Sequence, residues 1–389
     1  MRSNLSSFRQ IASVLLCAAG LMGFAGGALA QGATTKIGFQ AGLTGPAAAD
    51  GNAGLAAAKL AVEQINGAGG VNGKKLELVA YDDQGKPEQA VPIANRMIGD
   101  GVRAVVSAGF SGPSRAAAPV FQRAKIPYIA AIAFAPEITR TGNYMFRVTS
   151  VGEVQGRAAA KLLGDVLRKK RAVLLTIKTD FGKTLAAGFK EAAPKFGVQL
   201  LKEYEYAPSD RQFGPLIASI KADNPDVIYA TGFYFTAGPL VAQLRSAGVT
   251  ADVVGAESLS SQQYIDIAGQ AAEGTVITNV IDWGSQLPEI TDFLKAYEKT
   301  TNSKAEAAST STHAAVIALA AAIRKAKSDD PDKIRAALET LDVMTAIGRI
   351  SFNRLHEVKK SFPLSIVRNG KWERFGVIDD AALLAPPEQ

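Results

Sequence analysis

Ala172-Val173-Leu174-Leu175-Thr176-Ile177 is an almost uniformly apolar run, followed from about Gly182 by a helical pattern. A strand of this kind predicts burial on both faces, as in a parallel sheet covered by helices. Downstream, Val227-Ile228-Tyr229-Ala230 and Val253-Val254-Gly255 repeat the signal, each followed by a helical pattern. Upstream the same grammar runs once more. Lys36–Phe39 opens a short strand, and Asn52–Ile65 reads as a helix with Leu55, Ala58, Val62 and Ile65 at helical spacing. Ala68–Gly73 turns the chain into a strand at Leu76–Tyr81. Pro87 then begins a helix to about Ile98, with proline in the first turn, where its missing N–H costs little. Val102–Ser107 and Ile126–Ile132 are two more strands, separated by a part-helical Ser111–Ala124. Two blocks of strand–helix alternation predict an α/β chain of two Rossmann-like, doubly wound lobes.

In open parallel sheets, ligands sit beyond the carboxyl ends of the strands. Function is therefore expected in the loops around Thr44, Phe110, Ile132, Lys178, Gly232 and Glu257. From Pro288 the chain reads as helical, with little strand signal until Ile350. Leu364–Val367, Asn369-Gly370 and Trp372 then predict a final hairpin, since Asn-Gly favours the tight turn that joins twisted strands.

The N-terminus bears on where the chain works. Arg2 and Arg9 precede the apolar stretch Ile11–Ala25, and small residues end in Ala28-Leu29-Ala30 before Gln31. This is the layout of a secretory signal peptide cleaved after Ala30, which predicts a periplasmic product. A retained N-terminal anchor is the alternative, disfavoured because the run is short and broken by glycine. Cys17, the only cysteine, lies inside the apolar stretch behind Leu16, where lipidation would need a small residue. The expected mature chain has neither disulfide nor thiolate nucleophile, so its lobes must bury cores large enough to hold without cross-links. Its length suggests about two domains.

The formal charge is +7, and without Arg2 and Arg9 it is +5. Only Arg168-Lys169-Lys170-Arg171 forms a basic cluster, where a helix end meets a strand and complements the helix dipole. No basic stripe with interleaved aromatics points to nucleic acid. Catalytic signatures are missing as well. Gly67-Ala68-Gly69-Gly70 is a turn after a helix, with Asn72 at the third glycine position of a dinucleotide fingerprint. Gly109-Phe110-Ser111-Gly112 approaches a nucleophile elbow, but Pro113 takes its last glycine. The two histidines, His313 and His356, lack neighbours at ligand spacing. No enzyme activity, metal or cofactor is expected.

Leu43–Pro46 (L-T-G-P), Ala61–Lys74 (A-V-E-Q-I-N-G-A-G-G-V-N-G-K) and Tyr81–Ala90 (Y-D-D-Q-G-K-P-E-Q-A) resemble the periplasmic branched-chain amino acid (leucine/isoleucine/valine)-binding proteins of ABC importers. Ala135–Thr139, Phe146–Thr149, Ala268–Gly274 and Ile347–Phe352 extend the resemblance in order along the chain. It implies two lobes joined by three crossover segments, near Thr149, Asp282 and Ser351. Residues 31–149 with 283–351 would form lobe 1, and 150–282 with 352–389 lobe 2. A small carboxylate would bind between the lobes and pass to a permease served by ATPase subunits. The receptor would be a monomer.

The resemblance also implies a site. Ser111, at a helix start where anions are favoured, matches the serine that holds the ligand carboxylate, with Phe110 and Ile132 on adjacent loops. Glu257 matches the acid that pairs with the ligand ammonium. Phe134 replaces a head-group threonine, Phe181 and Phe233 replace pocket tyrosines, and Asp50 replaces a first-lobe aromatic. Three hydroxyls are thereby exchanged for apolar rings. Burying an unpaired ammonium is costly, so the expectation shifts toward an aromatic or apolar carboxylate, with a branched-chain amino acid next. Glu257 argues for the amino acid. A sensor for a signalling partner and a hydrolase are the alternatives in other functional classes, the second disfavoured by the missing constellations.

Overall fold

A computed structural model describes residues 34–387. The proposed signal peptide and Cys17 lie outside the described residues. The elements run β1 (Thr34–Ala41), α1 (Ala48–Gly67), β2 (Lys75–Asp82), α2 (Pro87–Gly99), β3 (Ala104–Ser107), α3 (Ser111–Ala124), β4 (Tyr128–Ala130), α4 (Glu137–Arg140) and β5 (Met145–Arg147). The chain continues with α5 (Gly152–Lys161), β6 (Arg171–Ile177), α6 (Asp180–Ala192), β7 (Gln199–Tyr206), α7 (Gly214–Asp223), β8 (Val227–Ala230), α8 (Tyr234–Ser246), β9 (Asp252–Gly255), α9 (Gln262–Ala268) and β10 (Val276–Thr278). It ends with α10 (Pro288–Thr301), α11 (Ala307–Ala326), α12 (Pro331–Glu339), β11 (Asp342–Thr345), β12 (Gly348–Ser351), β13 (Phe362–Arg368) and β14 (Lys371–Ile378).

The strands form two principal sheets. The first has the order β2-β1-β3-β4-β5 and is parallel from β1 to β5. The second has the order β14-β13-β10-β9-β8-β6-β7, parallel from β10 to β7 and closed at one edge by the antiparallel β13–β14 hairpin. Helices cover both sheets, so the doubly wound α/β reading stands. The run at 172–177 is β6, buried from Ala172 onward and paired in the second sheet with β8 on one side and the edge strand β7 on the other. The hairpin turns at Asn369 and Gly370, whose φ angles of 51° and 70° are the left-handed conformation that Asn-Gly supplies.

Several details differ from the sequence reading. Thr34–Ala41 is a longer strand than Lys36–Phe39, and β4 keeps only Tyr128–Ala130 of the expected Ile126–Ile132. β7 carries no apolar run because it is the sheet's edge, with several residues exposed or half-buried. The small ribbon β11–β12, inside a stretch read as mostly helical, joins Asp342–Thr345 to Gly348–Ser351.

Each sheet anchors its own core. Phe39, Val106, Ile129 and Phe146 of the first sheet pack with Ala315, Leu319 and Ile323 of α11 and with Ile350 and Val358 near the C-terminus. Val173, Leu175, Ile228 and Val254 of the second pack with Leu185 and Phe189 of α6 and Leu240 of α8. His313 and His356 belong to this packing. His313 lies 4.4 Å from the Phe293 ring and 3.1 Å from Gln64 Oε1, and burial lowers its pKa to about 4. His356 stacks on Phe146 at 4.0 Å. No group of three candidate metal ligands occurs among the described residues, and none of their helices is long and apolar enough to cross a membrane.

Candidate functional site

The strand ends of both sheets converge between the lobes. After β3, Ser107 turns its hydroxyl back to accept the Gly109 N–H at 3.0 Å, and the Ser114 hydroxyl donates to the Gly109 carbonyl at 3.2 Å. These bonds fix the loop that presents Phe110 and starts α3 at Ser111. The Ser111 hydroxyl oxygen accepts the Phe134 N–H at 3.0 Å and the Ala135 N–H at 3.3 Å from the loop after β4. With its oxygen engaged by two donors, the hydroxyl proton is left to donate, beside the unpaired N–H groups that open a helix. A carboxylate is the natural acceptor there.

Across the cleft, Phe181 comes from the first turn of α6, Phe233 from the residue before α8, and Glu257 from the turn after β9. A cavity of about 30 Å³ is lined by Asp50, Phe110, Ser111, Ile132, Phe181, Phe233, Glu257, Ser258, Ala307 and Ala308. Seven of the eight expected site residues therefore meet at one place. Phe134 does not reach it. Its ring is fully buried and packs edge-on against Phe181, with centroids 5.7 Å apart. The residue meets the site through its backbone N–H on Ser111, because the loop after β4 aims its side chain into the second lobe's core.

The rings divide the cleft. Phe110 of the first lobe and Phe233 of the second stack 4.5 Å apart and 3° from coplanar, and Phe181 lies 5.2 Å from Phe233. On their far side is a wider cavity of about 670 Å³, with Arg115, Lys178, Asp180 and Arg211 on its wall and Phe110, Ser111, Phe181 and Phe233 shared between the two. Further contacts join the lobes. Arg115 pairs with Asp180 at 2.6 Å, the Tyr234 hydroxyl donates to the Pro46 carbonyl at 2.9 Å, and Glu306 accepts the Gln262 N–H at 3.0 Å.

The electrostatics of the inner cavity are acidic. Burial raises the Glu257 carboxyl to about 7, opposed by the hydrogen bond Gln155 Nε2 donates at 2.5 Å. Burial likewise raises Asp50 well above the usual carboxylate range, reinforced by the charges of Glu306 and then Glu257. Glu306 itself is raised by burial. Among the described residues, no basic side chain lines the cavity. As it stands the cavity has room for little more than a water. With the lobes parted, the same walls would offer Ser111 to a carboxylate, the rings to an apolar group, and Asp50 and Glu257 to a cation or hydrogen-bond donor.

Sequence reasoning missed Ser258, Ala307, Ala308 and the buried Gln155. Ser258 could have been found as the neighbour of Glu257. Ala307 and Ala308 carry only the signal of small residues opening a helix. Gln155 meets Glu257 across 102 residues of sequence, a pairing no local pattern encodes.

The periplasmic binding protein family matches residues 34–370. The chain is 33% identical over 357 residues to Leu/Ile/Val-binding protein homolog 3 of Brucella melitensis, covering 91% of this chain and 96% of that one. Its fold is similar to a leucine binding protein, LivK, from Thermotoga maritima, with TM-score 0.85 and 26% identity over 89% of this chain and all but 1% of the other (99% covered). It also resembles a solute binding protein of an ABC transporter from R. palustris in complex with benzoate, with TM-score 0.82, 21% identity and coverage of 90% and 99%. Family match, relatives and two-lobed architecture agree, and the chain belongs to the periplasmic binding proteins.

Proposed function

We propose that this protein is the substrate-binding component of an ABC importer, exported through a cleaved signal peptide and working as a periplasmic monomer. It binds a small apolar or aromatic carboxylate between its lobes and delivers it to a permease with its ATPase subunits. Residues 31–149 with 283–351 form one moving body and 150–282 with 352–389 the other, closing on the ligand by hinge motion. The observation that carries the reading is the joint lining of one inter-lobe cavity by the Ser111 hydroxyl and the rings of Phe110, Phe181 and Phe233. Ser111 takes the carboxylate, and the rings offer face and edge contacts worth about 0.5–1.5 kcal/mol each to an aromatic group. The R. palustris protein in complex with benzoate has the same fold.

A second reading is favoured by the acids. Asp50 and Glu257 border the cavity without a basic partner among the described residues, and an α-ammonium would compensate them. The relatives whose names specify leucine, isoleucine and valine fit this branched-chain amino acid reading. Calorimetric titration with benzoate, a phenyl-oxoacid and leucine separates the two. Tight leucine binding with no response to aromatic acids would replace the first reading by the second. No binding of any small carboxylate would sink both.

A further inference from the structure

A second cavity, of about 160 Å³, lies where the chain passes between the lobes. Its wall includes Thr149 and Ser150 from the segment after β5, Asp282 from the segment after β10, and Lys360 and Ser361 from the segment before β13. All three connections between the sheets therefore meet there. None of the residues that line the inner ligand cavity is among them.

The polar groups of this cavity are unbalanced. Thr149 and Ser150 are each only 2% exposed, and neither hydroxyl has a hydrogen-bond partner among the described residues. Lys360 Nζ donates to the carbonyls of Ile347 at 2.8 Å and Arg349 at 3.0 Å. An ammonium has three donors, so one remains. No carboxylate pairs with Lys360 among the described residues, and burial with no compensating charge lowers its pKa to about 7. The one acid on the wall, Asp282, is committed elsewhere: its Oδ1 accepts Arg374 Nε at 2.9 Å and the Gly284 N–H at 3.0 Å. A cation and two buried hydroxyls thus share a space with room for more than a single water, which needs only about 30 Å³.

We infer that this hinge cavity binds a small anion, a halide or a compact carboxylate, held by the Lys360 ammonium and the hydroxyls of Thr149 and Ser150. Two buried donors of this kind are commonly satisfied by a bound group, and the uncompensated cation gives that group its sign. Because the site touches every connection, an occupant would favour one angle between the lobes.

The test uses the mature protein at fixed ionic strength, with a bulky sulfonate as the balancing anion. Sodium bromide and sodium acetate are titrated separately while the unfolding midpoint is followed, and crystals grown in bromide are examined for anomalous density. The expected result is a saturable rise in midpoint with at least one of the two anions. It should weaken at least tenfold in Lys360→Met and also in Thr149→Val, which keeps the charge. Bromide density beside Lys360 Nζ would locate the halide, and a response to acetate alone would assign the carboxylate. A rise that does not saturate, an equal response in folded Lys360→Met or Thr149→Val, or no response to either anion would overturn the inference.

Discussion

Phe110 and Phe233 stack face to face, one ring from each lobe, 4.5 Å apart. The contact exists only when the lobes are together, and it separates the inner cavity from the outer cleft. Phe233→Ala removes one ring from the stack and from the cavity wall. For an aromatic ligand it should weaken binding by about tenfold or more, on the scale of one or two lost ring contacts. Leucine would lose less. Titration of both ligands against the variant checks this, and an equal loss for the two would show that the ring closes the site without selecting the ligand.

Ser111→Ala deletes the donor proposed for the ligand carboxylate. A hydrogen bond to a charged group contributes about 1.5–3 kcal/mol, so the dissociation constant should rise roughly ten- to a hundredfold. The substitution also leaves the Phe134 and Ala135 N–H groups without their acceptor, so some stability is lost too. Ser111→Thr keeps the oxygen and should restore much of both. An unchanged dissociation constant in Ser111→Ala would remove Ser111 from the site.

The acids predict a pH dependence. Glu257 has a folded pKa raised by burial from 4.5 to about 7. A raised carboxyl binds its proton more tightly in the folded state, so stability falls as pH rises from the unfolded value to the folded one. Between about pH 4.5 and 7 this group alone should cost about 3 kcal/mol, with Asp50 and Glu306 adding in the same direction. Glu257→Gln should flatten that part of the urea-unfolding profile. Ligands report on the same group. An ammonium placed beside Glu257 favours its ionised form, so at neutral pH a bound amino acid should release protons and a benzoate-type acid should not. Calorimetry in buffers of different ionisation enthalpy reads the difference.

Arg147 and Glu357 form an ion pair at 2.9 Å, with side chains 0% and 1% exposed. Arg147 also donates to the Ala133 and Ala135 carbonyls, and Glu357 accepts the Thr139 hydroxyl. Removing one partner strands a buried charge, which typically costs about 3–5 kcal/mol. Arg147→Met should lower stability to urea by that amount, and a change below about 1 kcal/mol would contradict it.

Gly156 and Gly188 let α5 and α6 touch backbone to backbone. A Cβ on Gly188 would overlap the Glu153 carbonyl, and one on Gly156 the Leu185 carbonyl. Gly188→Ala must push the helices apart and should cost at least the 1–3 kcal/mol or so typical of overpacking. Thermal unfolding measures it.

Much of this was legible in the sequence because its signals are local. Ala172–Ile177 and Asn369-Gly370 carry their strand and turn in their own chemistry. The rule that sites gather at strand ends points to the loops around Phe110, Lys178, Gly232 and Glu257, and the resemblance to the leucine/isoleucine/valine-binding proteins narrows these to Phe181 and Phe233. Phe134 was misplaced because a loop has no period, so nothing in the residues reveals which way a side chain points. The ribbon at 342–351 escaped because short strands with exposed faces show no apolar run. Gln155 meets Glu257 within the second lobe across 102 residues of sequence, Ala307 and Ala308 reach the site only where the lobes meet, and the cluster at Thr149, Ser150 and Lys360 joins segments more than two hundred residues apart.

The mixed parentage of the first lobe's core sets a schedule for the chain's birth. Phe39, Val106 and Phe146 find their packing partners in Leu319, Ile323 and Ile350. The N-terminal segment can collapse one side of its sheet at once, where Tyr81, Met97, Val105, Phe121 and Tyr128 pack together, but the side that carries Phe39 and Phe146 has no cover until α11 has followed. The second lobe, whose core draws chiefly on consecutive segments from Val151 to Val276, can mature sooner. Its neighbour keeps one apolar face of its sheet uncovered until residues near 320 arrive to close it.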